Sequence, residues 1–514
     1  MLIAAVDIGT SSTRALLFED ARFTGVARSI EYALSAPEPG AAELVPVVVM
    51  AALTSCLYGL SRDAPAPIEC VALSSAMHSL LAADAAGKPL MAAHTWADNR
   101  PTAQAARLKA GAGAQALYAQ TGVPIHPMSP LTKLLWLREH RPAVFAAAAR
   151  FVSLKEWICH ALFGRWIVDD AIASASGLYC LAARDWSDAA LAAAGIGRER
   201  LSTVARPQTI LRGLAPATAA ALGLRPETPF VLGGSDGCLA NLGAGLLAGG
   251  TRRRAVLTIG TSGALRMAVD RPAPDAAMRT FCYALGKDEF VIGGATNGGG
   301  LPLRWLRDAF PQLRLGTTPA PPGQPADPYT VLADIARAAP AGAGGLLFHP
   351  YLAGERAPLW NADARASFIG LDFSHGPSHL VRAVMEGVLF NLAMILEVLE
   401  ELAGGPVDEI IAGGGFAHSD FWLQMAADLF GRPLWVAENP ETTAQGAALV
   451  ALAAMGRVAG LPAAVAMLPP PHRRFLPDAN NHALYRELMP IFAELPAKLA
   501  PFYARLSAFQ RKPR

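Results

Sequence analysis

The hydrophobic pattern of the chain predicts short buried strands that alternate with amphipathic helices. An apolar run over residues 2–8 meets a Gly-Thr-Ser-Ser turn and resumes over residues 13–18, the pattern of two strands joined by a tight turn. Residues 379–402 carry apolar side chains at three- and four-residue spacing with charges between them, which predicts a long amphipathic helix. Further strand-like runs end in glycine, at residues 230–234, 290–294 and 409–415. These elements indicate an α/β fold.

The first hairpin has a counterpart about half a chain length later. The segment AVLTIGTSGALRMAV, residues 255–269, repeats the Ile-Gly-Thr-Ser turn and the arginine after it, so that Gly260 matches Gly9. Two apolar hairpins with the same tip indicate duplicated halves that face one ligand. We predict one α/β lobe over residues 1–245, a second over residues 246–460 and a C-terminal helical segment over residues 461–514. The proline-rich residues 317–328 predict an exposed loop.

Composition and charge exclude several classes of protein. The chain has 514 residues, 52% of them hydrophobic and 17% charged, which indicates more than one folded domain and excludes a disordered chain. A net charge of +2 gives no strong field for nucleic acid or anionic lipid. No apolar run reaches the ~20 residues of a transmembrane helix. The start of the chain lacks the basic region of a signal peptide, and six cysteines without a CxxC pair favour a reducing compartment. We predict a cytoplasmic protein that binds neither nucleic acid nor membrane.

The two hairpin tips are the candidate phosphate sites, because the chain has no GxxxxGKS or GxxxxGKT loop. Consecutive backbone N–H groups and hydroxyls at a tight turn can hold phosphate oxygens, and a nearby arginine adds a charged donor. One such turn is more simply a hairpin turn, but two copies favour phosphate binding. The candidates are Thr10, Ser11, Ser12 and Arg14 at the first tip and Gly260 and Thr261 at the second.

Two aspartates stand at positions that the apolar pattern does not explain. Asp7 interrupts a strand that otherwise reads as buried, and a buried carboxylate is costly unless it is paired or near a metal ion. Beside a phosphate site its natural partner is Mg²⁺. Asp236 follows an apolar strand within the glycine-rich GGSDGC segment, where glycine permits close approach of a ligand. A helix-capping aspartate is the alternative for Asp236.

These residues bring a family resemblance into view. The segments VDIGTSSTR, GGSDG, TIGTSGALR, AGGGFAHSDFWLQMAADLFG and residues 350–387 resemble, in order from residue 3 to about residue 456, the motifs of FGGY carbohydrate kinases. The resemblance implies a duplicated actin-like (ribonuclease H-like) fold with a cleft between its lobes. It also implies ATP-dependent phosphorylation of a sugar. An actin-like assembly or chaperone ATPase, the rival class, leaves Met77, His78, Trp96 and Asp236 without a role.

The resemblance assigns the nucleotide side of the site residue by residue. Asp7 would orient Mg²⁺, and the first hairpin tip with Arg14 would meet the β- and γ-phosphates. Gly260 and Thr261 would hold the phosphates from the second lobe. Asp236 would be the general base that takes the proton of the attacking hydroxyl. The residues bordering the adenosine would be Gly300, Gly414, Gly415 and Ser419.

The acceptor side resembles the gluconate kinase branch of the family. Met77 and His78 match a pair shared by xylulokinases and gluconate kinases, although xylulokinases usually have glycine where this chain has Ser79. The most distinctive branch residues are His126 and Lys133, within the segment 121–137. Trp96, Asp98 and Arg100 follow the family's Trp-x-Asp-x-Arg pattern, which suits polyol hydroxyls, and a structural salt bridge is the alternative.

The predicted reaction is phosphorylation of D-gluconate to 6-phosphogluconate, with xylulose or another pentulose or polyol as the alternative acceptor. Gluconate carries a carboxylate, and a buried unpaired charge costs several kcal/mol. Among Lys133, Lys155, Arg100 and His126 we expect Lys133 to hold that carboxylate. The implied partners are ATP, Mg²⁺ and the sugar acid. The sequence leaves the oligomeric state open, with a homodimer as one option.

Overall fold

The computed structural model describes residues 1–248, 253–311, 328–471 and 473–510. The chain divides into two compact units, each built from separate stretches of sequence. The first comprises Met1–Gly250, Ala268–Ile292 and Glu441–Pro469, and the second comprises Thr251–Met267, Gly293–Pro440 and Pro470–Arg514. The lobe limits at residues 245 and 460 stay predictions. The proline-rich loop expected at residues 317–328 lies, up to residue 327, outside the described residues.

Strands and helices alternate along the described chain. The strands are β1 (Leu2–Ile8), β2 (Ser12–Glu19), β3 (Arg22–Glu31), β4 (Glu43–Leu44), β5 (Cys70–Ser75), β6 (Leu81–Ala83), β7 (Ala93–His94), β8 (Arg150–Val152), β9 (Ile167–Asp169), β10 (Tyr179–Cys180), β11 (Asp185–Trp186), β12 (Thr203–Ala205), β13 (Ile210–Leu211), β14 (Phe230–Ser235), β15 (Arg254–Ile259), β16 (Gly263–Val269), β17 (Phe281–Ala284), β18 (Phe290–Thr296), β19 (Leu347–His349), β20 (Ser367–Ile369), β21 (Glu409–Gly413), β22 (Leu434–Val436) and β23 (Arg474–Phe475). The α-helices are α1 (Pro46–Asp63), α2 (Thr102–Ala110), α3 (Ala114–Thr121), α4 (Pro130–His140), α5 (Pro142–Ala147), α6 (Leu154–Phe163), α7 (Asp170–Ser174), α8 (Asp188–Ala194), α9 (Pro216–Leu222), α10 (Asp236–Gly243), α11 (Leu301–Ala309), α12 (Pro328–Arg337), α13 (Pro377–Leu402), α14 (Asp420–Phe430), α15 (Thr442–Ala454), α16 (Leu461–Val465) and α17 (Ala479–Gln510). Short 3₁₀ helices occupy Arg198–Arg200, Ala341–Gly345 and Gly415–His418.

The first unit is organised around a six-stranded sheet in the order β3–β2–β1–β5–β14–β13. β1 pairs antiparallel with β2 and parallel with β5, and β5 pairs parallel with β14. The central strands read as continuous apolar runs because helices cover them. Val6 and Leu73 from the sheet belong to one buried cluster with Leu53 and Leu57 of α1. The sheet therefore holds the carboxyl ends of β1, β5 and β14, where polar residues of interest begin, in a fixed register.

The second unit repeats the central part of that arrangement. β15 pairs antiparallel with β16 and parallel with β21, and β21 pairs parallel with β22. The four strands β16–β15–β21–β22 thus have the order and directions of β2–β1–β5–β14. The predicted duplicated α/β fold is confirmed by this repetition. The amphipathic helix expected at residues 379–402 is also found, as α13, which starts with proline in its first turn, a position where the missing N–H costs nothing.

None of the helices in the described ranges combines the length and the apolar character needed to cross a membrane.

Candidate active site

The tip of the first hairpin is a tight turn between Ile8 and Thr13, which pair across β1 and β2. The Gly9 amide donates to the Ser12 carbonyl at 2.9 Å, and a Cβ at Gly9 would lie 3.0 Å from the same oxygen. Trp96 reaches this tip, because its indole Nε1 donates to the Thr10 hydroxyl at 3.0 Å. The structure therefore places one predicted acceptor residue against one predicted phosphate residue.

Asp7 lies at the end of β1, between Arg14 on β2 and Ser74 on β5. The Ser74 hydroxyl donates to Asp7 Oδ1 at 3.0 Å. Burial, with the negative charge of Asp236 as the second cause, raises the pKa of Asp7 to about 6. Arg14 forms an ion pair with Glu441. The carboxylates of Asp7 and Asp236 repel each other in a partly buried environment, and such oxygen ligands suit a hard divalent cation.

Asp236 is the first residue of α10 and follows directly on β14. Ser235 caps this helix by accepting the Cys238 amide. Asp236 Oδ1 accepts the amides of Gly237 at 2.7 Å and of Met77 at 3.4 Å. The capping alternative for Asp236 is therefore taken by its neighbour. The structure brings the predicted base together with the predicted Met77-His78 segment. The charge of Asp236 also acts on the predicted metal ligand Asp7, where it raises the pKa as the second cause after burial.

His78 adopts a left-handed backbone conformation with φ of 66°, which few non-glycine residues do outside turns and functional sites. Its ring is buried, with Nδ1 2.7 Å from the Ala175 carbonyl and its edge against Tyr283, the ring centroids being 6.0 Å apart. The turn places Met77 on the Asp236 side. Whether His78 contacts the acceptor stays a prediction.

Asp98 and Arg100 form an ion-pair network with two glutamates. Asp98 is fully buried, and Arg100 donates to it and also to Glu38 at 2.7 Å and Glu43 at 2.6 Å. The Arg100 guanidinium lies over the Trp136 ring, 4.6 Å from its centroid. Such contacts match the structural salt bridge that the sequence left open. Of the Trp-x-Asp-x-Arg pattern, Trp96 is the exposed member, at 42%.

The ammonium of Lys133 is already bonded to backbone carbonyls. Its side chain is fully buried, and Nζ donates to the carbonyls of His78 at 2.5 Å, Thr95 at 2.6 Å and Met128 at 2.8 Å. An ammonium group has three donors, so all three are used. This geometry corrects the expectation that Lys133 binds the carboxylate of the substrate.

The other cationic candidates differ in their surroundings. Lys155 is buried and donates to the Gly234 carbonyl at 3.0 Å while pairing with Asp169 at 2.6 Å. The His126 side chain is half-buried, and its Nδ1 accepts the Met128 amide at 3.2 Å. Lys155 thus supports the end of β14, just before Asp236, and His126 is the candidate that reaches the surface.

The second unit contains a cavity of about 760 Å³, within the usual range of small-molecule sites. Five predicted nucleotide residues line it, namely Gly260, Thr261, Gly300, Gly415 and Ser419. The Gly300 amide donates to the Gly260 carbonyl at 2.6 Å, which joins the hairpin tip to the start of α11. Gly414 has φ of +89°, and a Cβ there would lie 2.6 Å from the Ile259 carbonyl. Ser419 caps α14 by accepting the Trp422 amide.

Some residues of this cavity were not predicted. Tyr329 and Arg337 come from α12, directly after the proline-rich segment, and no motif marks them. Phe416 and Trp422 stand inside the quoted AGGGFAHSDFW segment, so their aromatic character was a signal available in the sequence. Flat aromatic rings and glycine-rich backbone around one cavity suit a planar heterocycle.

Comparisons with known proteins agree with these observations. The FGGY family of carbohydrate kinases matches the chain over residues 2–243 with its N-terminal domain and over residues 255–455 with its C-terminal domain. A gluconokinase from Bacillus subtilis (strain 168) is 40% identical over 507 residues, which are 98% of each chain. Solved structures of a xylulose kinase and of a gluconate kinase, both from Lactobacillus acidophilus, are each 31% identical, with a TM-score of 0.91 over 98% of this chain and 99% of theirs.

Proposed function

This chain belongs to the FGGY family of carbohydrate kinases, and on that premise we propose that it transfers the γ-phosphate of ATP to the terminal hydroxyl of D-gluconate, giving 6-phosphogluconate. The observation that carries the choice of acceptor is the 40% identity to a gluconokinase over 98% of both chains. D-xylulose is the second candidate acceptor, favoured by the 31% identical solved structure of a xylulose kinase.

Asp236 is the proposed general base. Phosphoryl transfer depends mainly on positioning and charge neutralisation, and a carboxylate that holds the acceptor hydroxyl can orient it and take its proton. The amides of Gly237 and Met77 fix the Asp236 carboxylate at the start of α10. This support comes from two different elements, so the carboxylate has a defined direction before substrate binds.

Asp7 is the proposed ligand of Mg²⁺. Burial and the negative charge of Asp236 both disfavour the ionised form of its carboxyl group, and a divalent cation nearby would offset both effects. When bound, Mg²⁺ would neutralise negative charge on the phosphates. In the first unit, Thr10, Ser11, Ser12 and Arg14 are proposed to bind phosphate oxygens. In the second unit, Gly260 and Thr261 are proposed to do the same.

The cavity of the second unit is the proposed adenosine site. Its volume of about 760 Å³ is sufficient for a nucleoside, and Gly300, Gly414, Gly415 and Ser419 lie on or beside its wall. Gly414 is needed there because of its backbone conformation and its approach to Ile259. Tyr329 and Trp422 extend the proposal to aromatic contacts.

The acceptor is proposed to lie against Met77, His78, Trp96 and His126 in the first unit. Asp98 and Arg100 are proposed to support this surface without contacting the acceptor, because their ionic groups already bond each other and their neighbours. His126 takes over from Lys133 as the proposed partner of the gluconate carboxylate.

We place the enzyme in the cytoplasm, since all six cysteines, which lie within the described ranges, are free thiols as a reducing compartment allows. The proposal also includes a second copy of the chain as partner, and sedimentation equilibrium of the purified enzyme tests it: a single-chain mass at working concentration would reject the dimer.

A coupled assay of ADP release over aldonates, ketoses and polyols tests the proposed reaction. We expect gluconate to give the highest kcat/KM and ADP release to depend on an acceptor. If D-xylulose gives the higher kcat/KM, the second candidate replaces the first. Equal ADP release with and without any acceptor would instead indicate an ATPase.

A further inference from the structure

Lys133 joins three segments that are distant in sequence. Its ammonium donates to the carbonyl of His78 after β5, of Thr95 after β7 and of Met128 before α4. All three residues are linked to the proposed acceptor surface. His78 belongs to it, Thr95 precedes Trp96 in the chain, and the Met128 amide donates to the ring of His126. A single buried side chain therefore bonds the backbone of three segments that carry or adjoin residues of the proposed acceptor surface.

The three segments differ in how else they are tied. Leu80 and His94 exchange two backbone hydrogen bonds at 2.9 Å, which already links the His78 turn with the Thr95 segment. Lys133 adds the loop that carries His126 to that pair. The same loop is also held at other points, since the hydroxyl of Thr132 donates to the His126 carbonyl at 2.9 Å and the hydroxyl of Ser129 donates to the Ser176 carbonyl at 2.9 Å.

Three hydrogen bonds to backbone carbonyls hold the Lys133 side chain in one position. Charge-assisted hydrogen bonds are about twice as strong as neutral ones, and a buried carbonyl that loses its donor is costly. Burial lowers the pKa of Lys133, the negative charge of Asp98 raises it, and the positive charge of Arg100 lowers it. Asp98 in turn is held by Arg100, so the ionic network and the lysine support the same backbone.

We propose that Lys133 is a positioning residue that fixes the relative placement of the His78, Thr95 and Met128 segments and thereby sets the affinity for the acceptor without contacting it. The inference rests on the proposed function for the identity of the acceptor surface. It requires that loss of the ammonium loosens the three segments in the free enzyme. If Lys133 instead bound the substrate carboxylate, its loss would leave these segments of the free enzyme unchanged.

Hydrogen exchange of the full-length enzyme without acceptor, followed by mass spectrometry, separates these roles. In Lys133→Met we expect faster exchange than in wild type over residues 76–80, 94–97 and 124–129. The matched control is Lys88→Met, because Lys88 is an exposed lysine of the same unit, and its exchange in these segments should equal that of wild type. Unchanged exchange in Lys133→Met would overturn the proposal.

Kinetics supply a second readout. We expect Lys133→Met to raise the acceptor KM at least tenfold and to leave the KM for ATP within about twofold of wild type. Lys133→Gln keeps two N–H donors, so its acceptor KM should lie between those of wild type and Lys133→Met. A Lys133→Met variant with wild-type acceptor KM would also overturn the proposal. If Lys133→Met does not fold, Lys133→Gln carries both tests. The exchange result does not depend on which acceptor is used, so a failure of the gluconate assignment would be seen separately, in the kcat/KM ranking.

Discussion

Asp236 concentrates the proposed chemistry in one carboxylate. Replacing it with asparagine keeps the shape and the oxygen that accepts the Gly237 and Met77 amides, but removes the base. We expect Asp236→Asn to bind ATP and acceptor normally and to lose about 10²–10⁴-fold in kcat. Steady-state kinetics with binding measured by calorimetry checks this. Asp188→Asn, at an exposed carboxylate of the same unit, is the control, and an Asp236→Asn kcat within a few-fold of the control would reject the base assignment.

The charge state of Lys133 predicts a pH dependence. Burial lowers its pKa to about 7, with Asp98 raising and Arg100 lowering it, while the adjacent His94 is neutral because burial lowers its pKa to about 2. Above pH 7 the folded enzyme loses this proton, and one of three carbonyls loses its donor. The acceptor KM should therefore rise between pH 7 and pH 9 in wild type.

The same titration has the opposite sign for global stability. An unfolded lysine keeps its proton to a pKa of 10.5, so between pH 7 and that value the unfolded chain holds more protons, and this group makes the free energy of unfolding rise with pH. The rise in acceptor KM is thus not a loss of folding. Its absence in wild type, or its persistence in Lys133→Met, would contradict the assignment of the pH dependence to this side chain.

Residue roles were predictable where a residue type interrupts a pattern, and less so elsewhere. Asp7 and Asp236 stood out because carboxylates broke apolar or glycine-rich runs, and the structure places them close enough to affect each other. The prediction for Lys133 was wrong because a lysine is a natural partner of a carboxylate, whereas the partners of this one are backbone carbonyls of its own chain. Those carbonyls depend on tertiary contacts that side-chain spacing does not record.

At the scale of elements, α10 and α15 approach each other through glycine. A Cβ at Gly446 would lie 2.0 Å from the Leu239 carbonyl, and one at Gly243 would lie 2.0 Å from the Thr442 carbonyl. Since α10 begins at Asp236, this contact sets the position of the proposed base. We expect Gly446→Ala to destabilise the fold by about 1–3 kcal/mol, the usual cost of overpacking, and to lower kcat more than it raises the KM for ATP.

Thermal unfolding and steady-state kinetics of the same preparation test this expectation. Gly113→Ala is the matched control, because a Cβ there meets nothing within 4 Å. A Gly446→Ala enzyme as stable and as active as the control would show that the helices tolerate a wider separation.

The elements themselves followed the sequence closely where the pattern was strong. Strands ending in glycine and the helix α13 were predicted because apolar periodicity is local. The helix α12, which supplies Tyr329 and Arg337 to the second cavity, was missed beside a proline-rich stretch. The return of residues 268–292 and 441–469 to the first unit was not predictable, since long-range contacts leave no local period.

For the molecule as a whole, the repeated hairpin was the decisive sequence signal. Each unit contains the same four-strand arrangement, and in each the hairpin tip adjoins residues proposed to hold phosphate. The first unit also contains the proposed base and the proposed acceptor surface, and the second contains the cavity proposed for the nucleoside. The proposed function thus assigns the acceptor to one unit and the nucleoside to the other.

The position of the phosphate on the product formed from gluconate and ATP tests the proposed transfer to the terminal hydroxyl most directly. Proton-coupled ³¹P NMR of the purified product distinguishes the sites, because a phosphate on the terminal carbon couples to two protons and one on any interior carbon couples to one. We expect a triplet that grows with ADP release. A doublet, or ADP release that yields free phosphate and no phosphorylated gluconate, would contradict the proposed reaction.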